Sequence, residues 1–309
     1  MIPLVIDTDP GVDDAVALLV ALRSPEVRLE AVTTVFGNAD VATTTANALR
    51  LLALGGRPDV PVAAGASRPL VHPQPFRAAE WHGADGLGGH ADRLPRPATG
   101  TDARDAVTLL ADVLAAATEP VTVAAIGPLT NVALLLAAHP SLAARIGRLV
   151  IMGGALGGGN TTPAAEFNLW SDPEAARRVL VEESVPTTLV PLDLTMRGWV
   201  DAAWLEALAA GSSHGALLAA MLQHYRARYR ATYGHDGVVI HDAIAILEAV
   251  IPGTLRTTPL PVEVACDHGP ARGALIANRF SATTGRTINI ALDADLPAIQ
   301  ATLLHRLSH

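Results

Sequence analysis

Lysine is missing altogether: the 22 basic residues of this 309-residue chain are all arginine. That absence excludes Walker-A phosphate loops, Schiff-base lysines and the Ser-x-x-Lys nucleophile pair together. Cysteine is reduced to Cys266, which leaves no disulfide framework and no thiolate zinc site. Charged residues make up only 17% of a chain that is half hydrophobic, so a disordered polyelectrolyte is excluded. The 30 acidic residues outnumber the basic ones, the net charge is −8, and there is no basic run. Neither nucleic acid nor an anionic membrane surface suits that balance as a partner. No uncharged span of about 20 apolar residues occurs, and the start, Met1-Ile2-Pro3-Leu4, lacks the basic n-region of a signal peptide. A cytoplasmic protein is expected. Repeats and low-complexity segments are absent as well.

What the chain does have is enough apolar residue for a full-sized core. Average domains run to roughly 100–200 residues, yet α/β chains of this length are often one domain, and a single domain over 1–309 is expected. Short β-branched runs alternate with longer Ala/Leu-rich ones, which predicts an α/β fold: an open, largely parallel sheet with flanking helices. The strand candidates are Leu4–Asp7, Leu29–Val35, Val60–Ala64, Val121–Ile126, Leu149–Met152 and Thr187–Leu192. Between them lie helix candidates Asp13–Arg23, Ala42–Leu54, Ala103–Ala117, Thr130–Ala138 and Pro173–Glu183. Asp172 before Pro173 and Glu174 supplies an N-cap, a proline at the first helical position and an acid in the first turn. Further on, His214–Thr232 and His241–Val250 read as helices, and Val262–Cys266, Leu275–Asn278 and Thr287–Leu292 as strands. Two stretches are irregular, 66–101 and the glycine-rich 153–166, and long connections of this kind are more often functional than accidental. The early strands end in Asp7-Thr8-Asp9, Gly37-Asn38, Gly127-Pro128, Gly153-Gly154 and Asp193. In open parallel sheets ligands bind beyond these carboxyl ends.

The strongest local signal is Asp7-Thr8-Asp9-Pro10-Gly11-Val12-Asp13-Asp14-Ala15, four carboxylates within eight residues directly after a buried strand. They would repel one another unless a cation or ordered donors sat among them. Hard oxygen ligands select Ca²⁺ or Mg²⁺ over zinc. The plainer reading is a turn in which one of the acids caps the next helix, and one of the four can do that while the others bind metal. His241-Asp242 at a helix start could add a distant carboxylate and a proton donor, although such pairs usually cap. Asn160 and Glu166-Phe167-Asn168 suit sugar hydroxyls, or hold their loop together. Trp81-His82-Gly83 could supply an aromatic wall and a second imidazole, whereas His72 and His90 read as surface residues.

The nine-residue acidic segment resembles the N-terminal fingerprint of the inosine–uridine preferring nucleoside hydrolase family. Gly37-Asn38, Gly127-Pro128-Leu129-Thr130-Asn131, Met152-Gly153-Gly154, Glu166-Phe167-Asn168, Asp172-Pro173-Glu174-Ala175-Ala176 and His241-Asp242 follow in the same order. One departure is Ala243, where many relatives have proline after the acid. The resemblance implies a Rossmann-like nucleoside hydrolase fold and a calcium-dependent enzyme that cleaves the N-glycosidic bond of ribonucleosides to free base and ribose. By resemblance, Asp9, Asp14, Asp242 and the carbonyl of Ile126 are the calcium ligands. Asp13, Asn38 and Asn168 would bind the ribose diol, Asn160 and Glu166 the 5′-hydroxyl, with Met152 on the ribose and Phe167 near the ring. Asp9 would be the general base toward a calcium-activated water, and His241 the general acid for the departing base. His82 is the rival donor, set in the glycine-rich loop, and Tyr229 is the best candidate for contact with the base. A homo-oligomer, dimer or tetramer, is also implied.

Two alternatives remain open at this point. A haloacid dehalogenase-type phosphatase also begins with Asp-x-Asp after a first strand, but Pro10-Gly11 interrupts its loop and its usual lysine is missing. A non-catalytic nucleoside- or sugar-binding protein on the same scaffold would not need Asp9 and His241 at opposite ends of a ligand.

Overall fold

Along β1 (Ile2–Thr8) successive side chains go to opposite faces of a sheet: Leu4 and Ile6 enter one hydrophobic core and Val5 the other. The computed structural model describes residues 1–72, 77–278 and 285–308. Its further strands are β2 (Val27–Thr34), β3 (Val62–Ala64), β4 (Val121–Ala125), β5 (Ile146–Met152), β6 (Thr187–Val190), β7 (Trp199–Asp201), β8 (Gly237–Val239), β9 (Leu255–Val264), β10 (Leu275–Ala277) and β11 (Arg286–Ala294). Among the described residues, nine of them form one sheet in the order β10-β9-β11-β6-β5-β4-β1-β2-β3, while β7 and β8 make a small antiparallel pair. From β11 to β3 all neighbours are parallel, and β9 runs antiparallel to both β11 and β10. The chain leaves β1 toward β2 on one side and returns to β4 on the other. That reversal opens a crevice at the carboxyl ends of β1 and β4, the place where such sheets bind ligands.

The helices are α1 (Val12–Leu22), α2 (Val41–Leu54), α3 (Ala79–His82), α4 (Ala106–Ala116), α5 (Thr130–Ala138), α6 (Phe167–Ser171), α7 (Pro173–Arg177), α8 (Leu192–Thr195), α9 (Ala202–Gly211), α10 (Ser213–Tyr233), α11 (His241–Val250) and α12 (Leu296–Ser308). Residues Val12–Ala21 of α1 and all of α11 are buried. Apart from the acids and histidine at their starts and Glu248 they are apolar, as helices inside a fold are, and they pack on each other beneath the crevice. Both begin at that crevice, with Asp13 and Asp14 in the first turn of one and Asp242 in that of the other. Among the described residues no helix is long and apolar enough to cross a membrane.

The expected parallel sheet and flanking helices are present, with differences at the ends. The helix expected over Pro173–Glu183 stops at Arg177 and continues as a wider turn over Arg178–Glu182. Strand β9 starts at Leu255 rather than Val262; Pro259 and Pro261 hid it, since proline cannot donate to a sheet ladder. Among the described residues β10 pairs only with Val262–Val264, and Pro261 still offers its carbonyl, which accepts the Asn278 N–H. Helices α9 and α12 were not anticipated, although Ile299, Leu303 and Leu307 recur at a helical spacing and are all buried. The irregular stretch 66–101 holds α3; its positions 73–76 lie outside the described residues.

Asn131, in the first turn of α5, ties the crevice together. Its amide donates to Asp7 Oδ1 (2.8 Å) and to the Thr34 carbonyl (2.9 Å), and its oxygen accepts the Ala66 N–H (2.9 Å). Asp172 works beside it, accepting from Thr130 Oγ1, Leu70 N and Ala175 N. Asn131→Ala strands several buried polar groups, each worth about 1–3 kcal/mol. Chemical denaturation should show a loss of about 2–4 kcal/mol; an unchanged midpoint would contradict this account.

Candidate active site

Pro10 and Gly11 turn the chain out of β1 so that three acids of the first loop and helix face the crevice. Asp14 is the acid that caps α1: its carboxylate accepts the Gly11 N–H (2.8 Å), the Thr8 hydroxyl (2.5 Å) and the Asn38 side-chain amide (3.0 Å). One oxygen from each of Asp13, Asp14 and Asp242 lies within 4.8 Å of the others. Asp9 stands next to this trio, with Oδ2 accepting the Asn38 backbone N–H at 2.7 Å. Its Oδ1 is buried and, among the described residues, has no partner. Glycines make room for it: a methyl group on Gly127 would come within 2.5 Å of Asp9 Oδ1, and one on Gly37 would collide with Oδ2.

The electrostatics of this cluster are severe. Burial, followed by the charge of Asp14, pushes the Asp9 carboxyl well above the ordinary carboxylate range. Burial and then Asp14 push Asp13 up to about 8. Asp242 is raised well above its usual value by burial first and by Asp13, Asp14 and Asp9 after it. Burial raises Asp14 too, against the bonds from Thr8 and Gly11. Crowded, dry carboxylates of this sort become stable as anions when a cation joins them, and an all-oxygen donor set fits a hard divalent ion.

The remaining expected residues converge on the same pocket. Asp13, Asn38, His82, Ile126, Met152, Asn160, Glu166, Phe167, Asn168, Tyr229, His241 and Asp242 all line it. Asn168 donates to the Ile126 and Met152 carbonyls, 3.1 Å each, and so joins the ends of β4 and β5. Glu166 caps α6 and uses both oxygens on backbone N–H groups of Gly154, Asn168 and Leu169. Asn160 sits at the exposed rim with its oxygen on the Phe167 N–H (3.0 Å). His72 and His90 are not among the lining residues.

Opposite the acids stands an aromatic wall. Tyr225, Tyr229 and Tyr233 lie along α10, and the Trp81 ring meets all three at centroid distances of 6.0, 5.2 and 6.2 Å. His82 was expected in a loop that needs ordering first. It is instead buried at the end of α3, where Nδ1 accepts the Val12 N–H at 3.1 Å. Gly11 allows this approach, since a methyl there would come within 2.5 Å of Nδ1. Burial, then the nearby His224 and His241, bring the His82 pKa down to about 3. His241 is held at both nitrogens, by Tyr229 Oη at Nε2 and Thr195 Oγ1 at Nδ1, each 2.7 Å away. Burial lowers its pKa to about 4. Sequence reasoning missed Thr195; its neighbour Asp193, expected at a strand end on the site edge, accepts the Leu156 N–H with its carboxylate (2.7 Å) and anchors the glycine-rich loop. Both sit on the one-turn helix α8, too short to leave a periodic signal.

Gly37 sits at φ +159°, at the edge of the region that disfavours a side chain, and a methyl there would also collide with Asp9 Oδ2. Gly37→Ala should lower turnover by roughly a hundredfold through displacement of that carboxylate. Steady-state kinetics beside a thermal melt would check this, and wild-type turnover would contradict it.

Comparison with known proteins agrees with this geometry. The profile of the inosine-uridine preferring nucleoside hydrolase family matches residues 4–301. A pyrimidine-specific ribonucleoside hydrolase of Klebsiella pneumoniae is 40% identical over 310 residues, covering 99% of this chain and 98% of the relative. Among solved structures, a plant nucleoside hydrolase superposes with a TM-score of 0.93 at 32% identity, over 99% of this chain and 98% of its own. A purine-preferring ribonucleoside hydrolase from Gardnerella vaginalis gives 0.92 at 30% identity, with coverage of 99% and 98%. The phosphatase alternative gives way to this match. The chain belongs to the inosine–uridine preferring nucleoside hydrolase family and is a ribonucleoside hydrolase.

Proposed function

We propose that the pocket hydrolyses ribonucleosides, pyrimidine ribonucleosides first among them, with Asp9 as general base and Ca²⁺ as the resident cation. The observation that carries this reading is the buried Oδ1 of Asp9, unpartnered among the described residues, beside three further carboxylates. Asp9, Asp14, Asp242 and the Ile126 carbonyl would hold the ion. When bound, such a cation lowers the pKa of water and binds vicinal hydroxyls. Asp13, Asn38 and Asn168 then bind the ribose diol, Met152 lies against the ribose, and Asn160 with Glu166 meets the 5′-hydroxyl. Phe167 closes the ribose side. The preference for pyrimidines is drawn from the curated relative at 40% identity.

Cleavage passes through an oxocarbenium-like state, which needs negative charge close to the ring, a positioned water and relief for the leaving base. The carboxylates supply the first of these. Asp9 takes the proton of the attacking water on the face opposite the base, so inversion at the anomeric carbon is expected. Both nitrogens of His241 already have hydroxyl partners, so His241 reaches the departing base through Tyr229, with His82 as the second donor on that wall. One domain over 1–309, a homo-oligomer (dimer or tetramer) and a cytoplasmic location complete the proposal, and light scattering reads the oligomeric state.

A nucleoside panel with and without chelator tests the reading: ribose should be released, EDTA should abolish release, and added Ca²⁺ should restore it. Full activity in protein shown to be metal-free would contradict it. Asp9→Asn should lower kcat by several orders of magnitude with the fold intact, and a fall below about tenfold would remove Asp9 as the base. Tyr229→Phe should slow uridine hydrolysis and leave p-nitrophenyl riboside nearly unaffected, because p-nitrophenolate departs without help. Equal losses on both would refute a role at the base.

A further inference from the structure

Thr195 ends α8 and is fully buried, with its hydroxyl 2.7 Å from His241 Nδ1. We propose that Thr195 is a positioning residue that selects the tautomer of His241 and thereby turns the Tyr229 hydroxyl proton toward the departing base. The proposal rests on the assignment of Tyr229 and His241 to the leaving group.

The argument is one of counting protons. A threonine hydroxyl owns one proton, and a neutral imidazole carries one N–H on either nitrogen. Among the described residues, the side chain of Thr195 has His241 Nδ1 as its partner and no other acceptor, while its backbone N–H goes to the Pro191 carbonyl. If Nδ1 carried the proton, Thr195 would accept it and its own buried proton would have nowhere to go, an uncompensated cost. Thr195 therefore donates, and Nδ1 accepts. The imidazole proton is then on Nε2, as the bond at the other nitrogen dictates. Nε2–H donates to Tyr229 Oη across 2.7 Å. That oxygen is now an acceptor toward His241, and its own proton is free of that bond. The Tyr229 proton is left to point into the pocket that Tyr229 lines.

The reverse arrangement would disable the wall. With the proton on Nδ1, Nε2 becomes an acceptor, captures the Tyr229 hydroxyl proton and presents the leaving base with lone pairs. In the proposed arrangement the glycosidic bond breaks with its electron pair going to the base nitrogen, and the Tyr229 O–H stabilises that charge by a hydrogen bond. No proton changes hands at Thr195 or His241. A third group that fixes a histidine tautomer is a known requirement of catalytic triads, where its loss costs orders of magnitude.

The test uses the full chain as wild type, Thr195→Val, which keeps the shape and removes the donor, and Thr195→Ser, which restores it. Nitrogen-15 spectra of histidine-labelled protein, with His241→Gln to assign the signal, should show Nε2–H in wild type and in Thr195→Ser. In Thr195→Val the Nδ1–H form should appear. Thr195→Val should lower kcat for uridine by about tenfold or more while p-nitrophenyl riboside stays within about twofold, and Thr195→Ser should recover most of the loss. An Nδ1–H tautomer in wild type overturns the proposal, as does an equal loss on both substrates. A wild type that released no ribose would instead defeat the functional reading, and the spectra would still decide the tautomer.

Discussion

Four carboxylates share one dry crevice, and the surrounding structure is organised around that repulsion. Asp14 is partly neutralised by three donors, one of them the Gly11 N–H at the start of α1. Asp9 receives one backbone N–H and keeps a bare oxygen. Asp242 comes from α11, a helix buried along its whole length that packs against the almost equally buried α1. Carboxylates brought so close without compensation oppose folding; the proposed cation supplies the missing charge. The fold therefore puts a locally unfavourable arrangement at the sheet's reversal point, where β1 and β4 diverge, and holds it there with well-satisfied neighbours such as Asn131 and Asp172.

The other half of the pocket obeys a different constraint. Its imidazoles are buried, and burial keeps them neutral, with His82 near 3 and His241 near 4. Neutral rings contribute through the direction of their hydrogen bonds. His82 offers its lone pair to Val12, and His241 stands between two hydroxyls. The tyrosines of α10 and Trp81 pack edge and face on one another along the same wall. In the proposed reaction the two walls divide the work: charge on the ribose side, oriented hydrogen bonds on the base side.

Much of this was legible from residue order. The strand-end clusters marked the crevice, and the acidic fingerprint marked its floor. Which acid caps α1 was not legible, because Asp13 and Asp14 are adjacent and equally placed until Thr8 and Asn38 arrive from other elements. Glu166 suggested a ligand for a sugar hydroxyl; that its two oxygens also hold three backbone N–H groups is something no sequence pattern reveals. Thr195 carried no signal: an ordinary threonine on a one-turn helix, it meets His241 across 46 residues of sequence. Prolines in β9 hid a strand that pairs with β11 from Leu255 to Val262.

The central claim is that the carboxylate cluster is strained until a cation joins it. Thermal melts of metal-free and Ca²⁺-loaded wild type and Asp242→Asn measure this without reference to activity. The account expects Ca²⁺ to raise the wild-type melting temperature markedly. Metal-free Asp242→Asn should melt above metal-free wild type, with little response to Ca²⁺. Metal-free wild type that melts higher than the variant and ignores Ca²⁺ would contradict it.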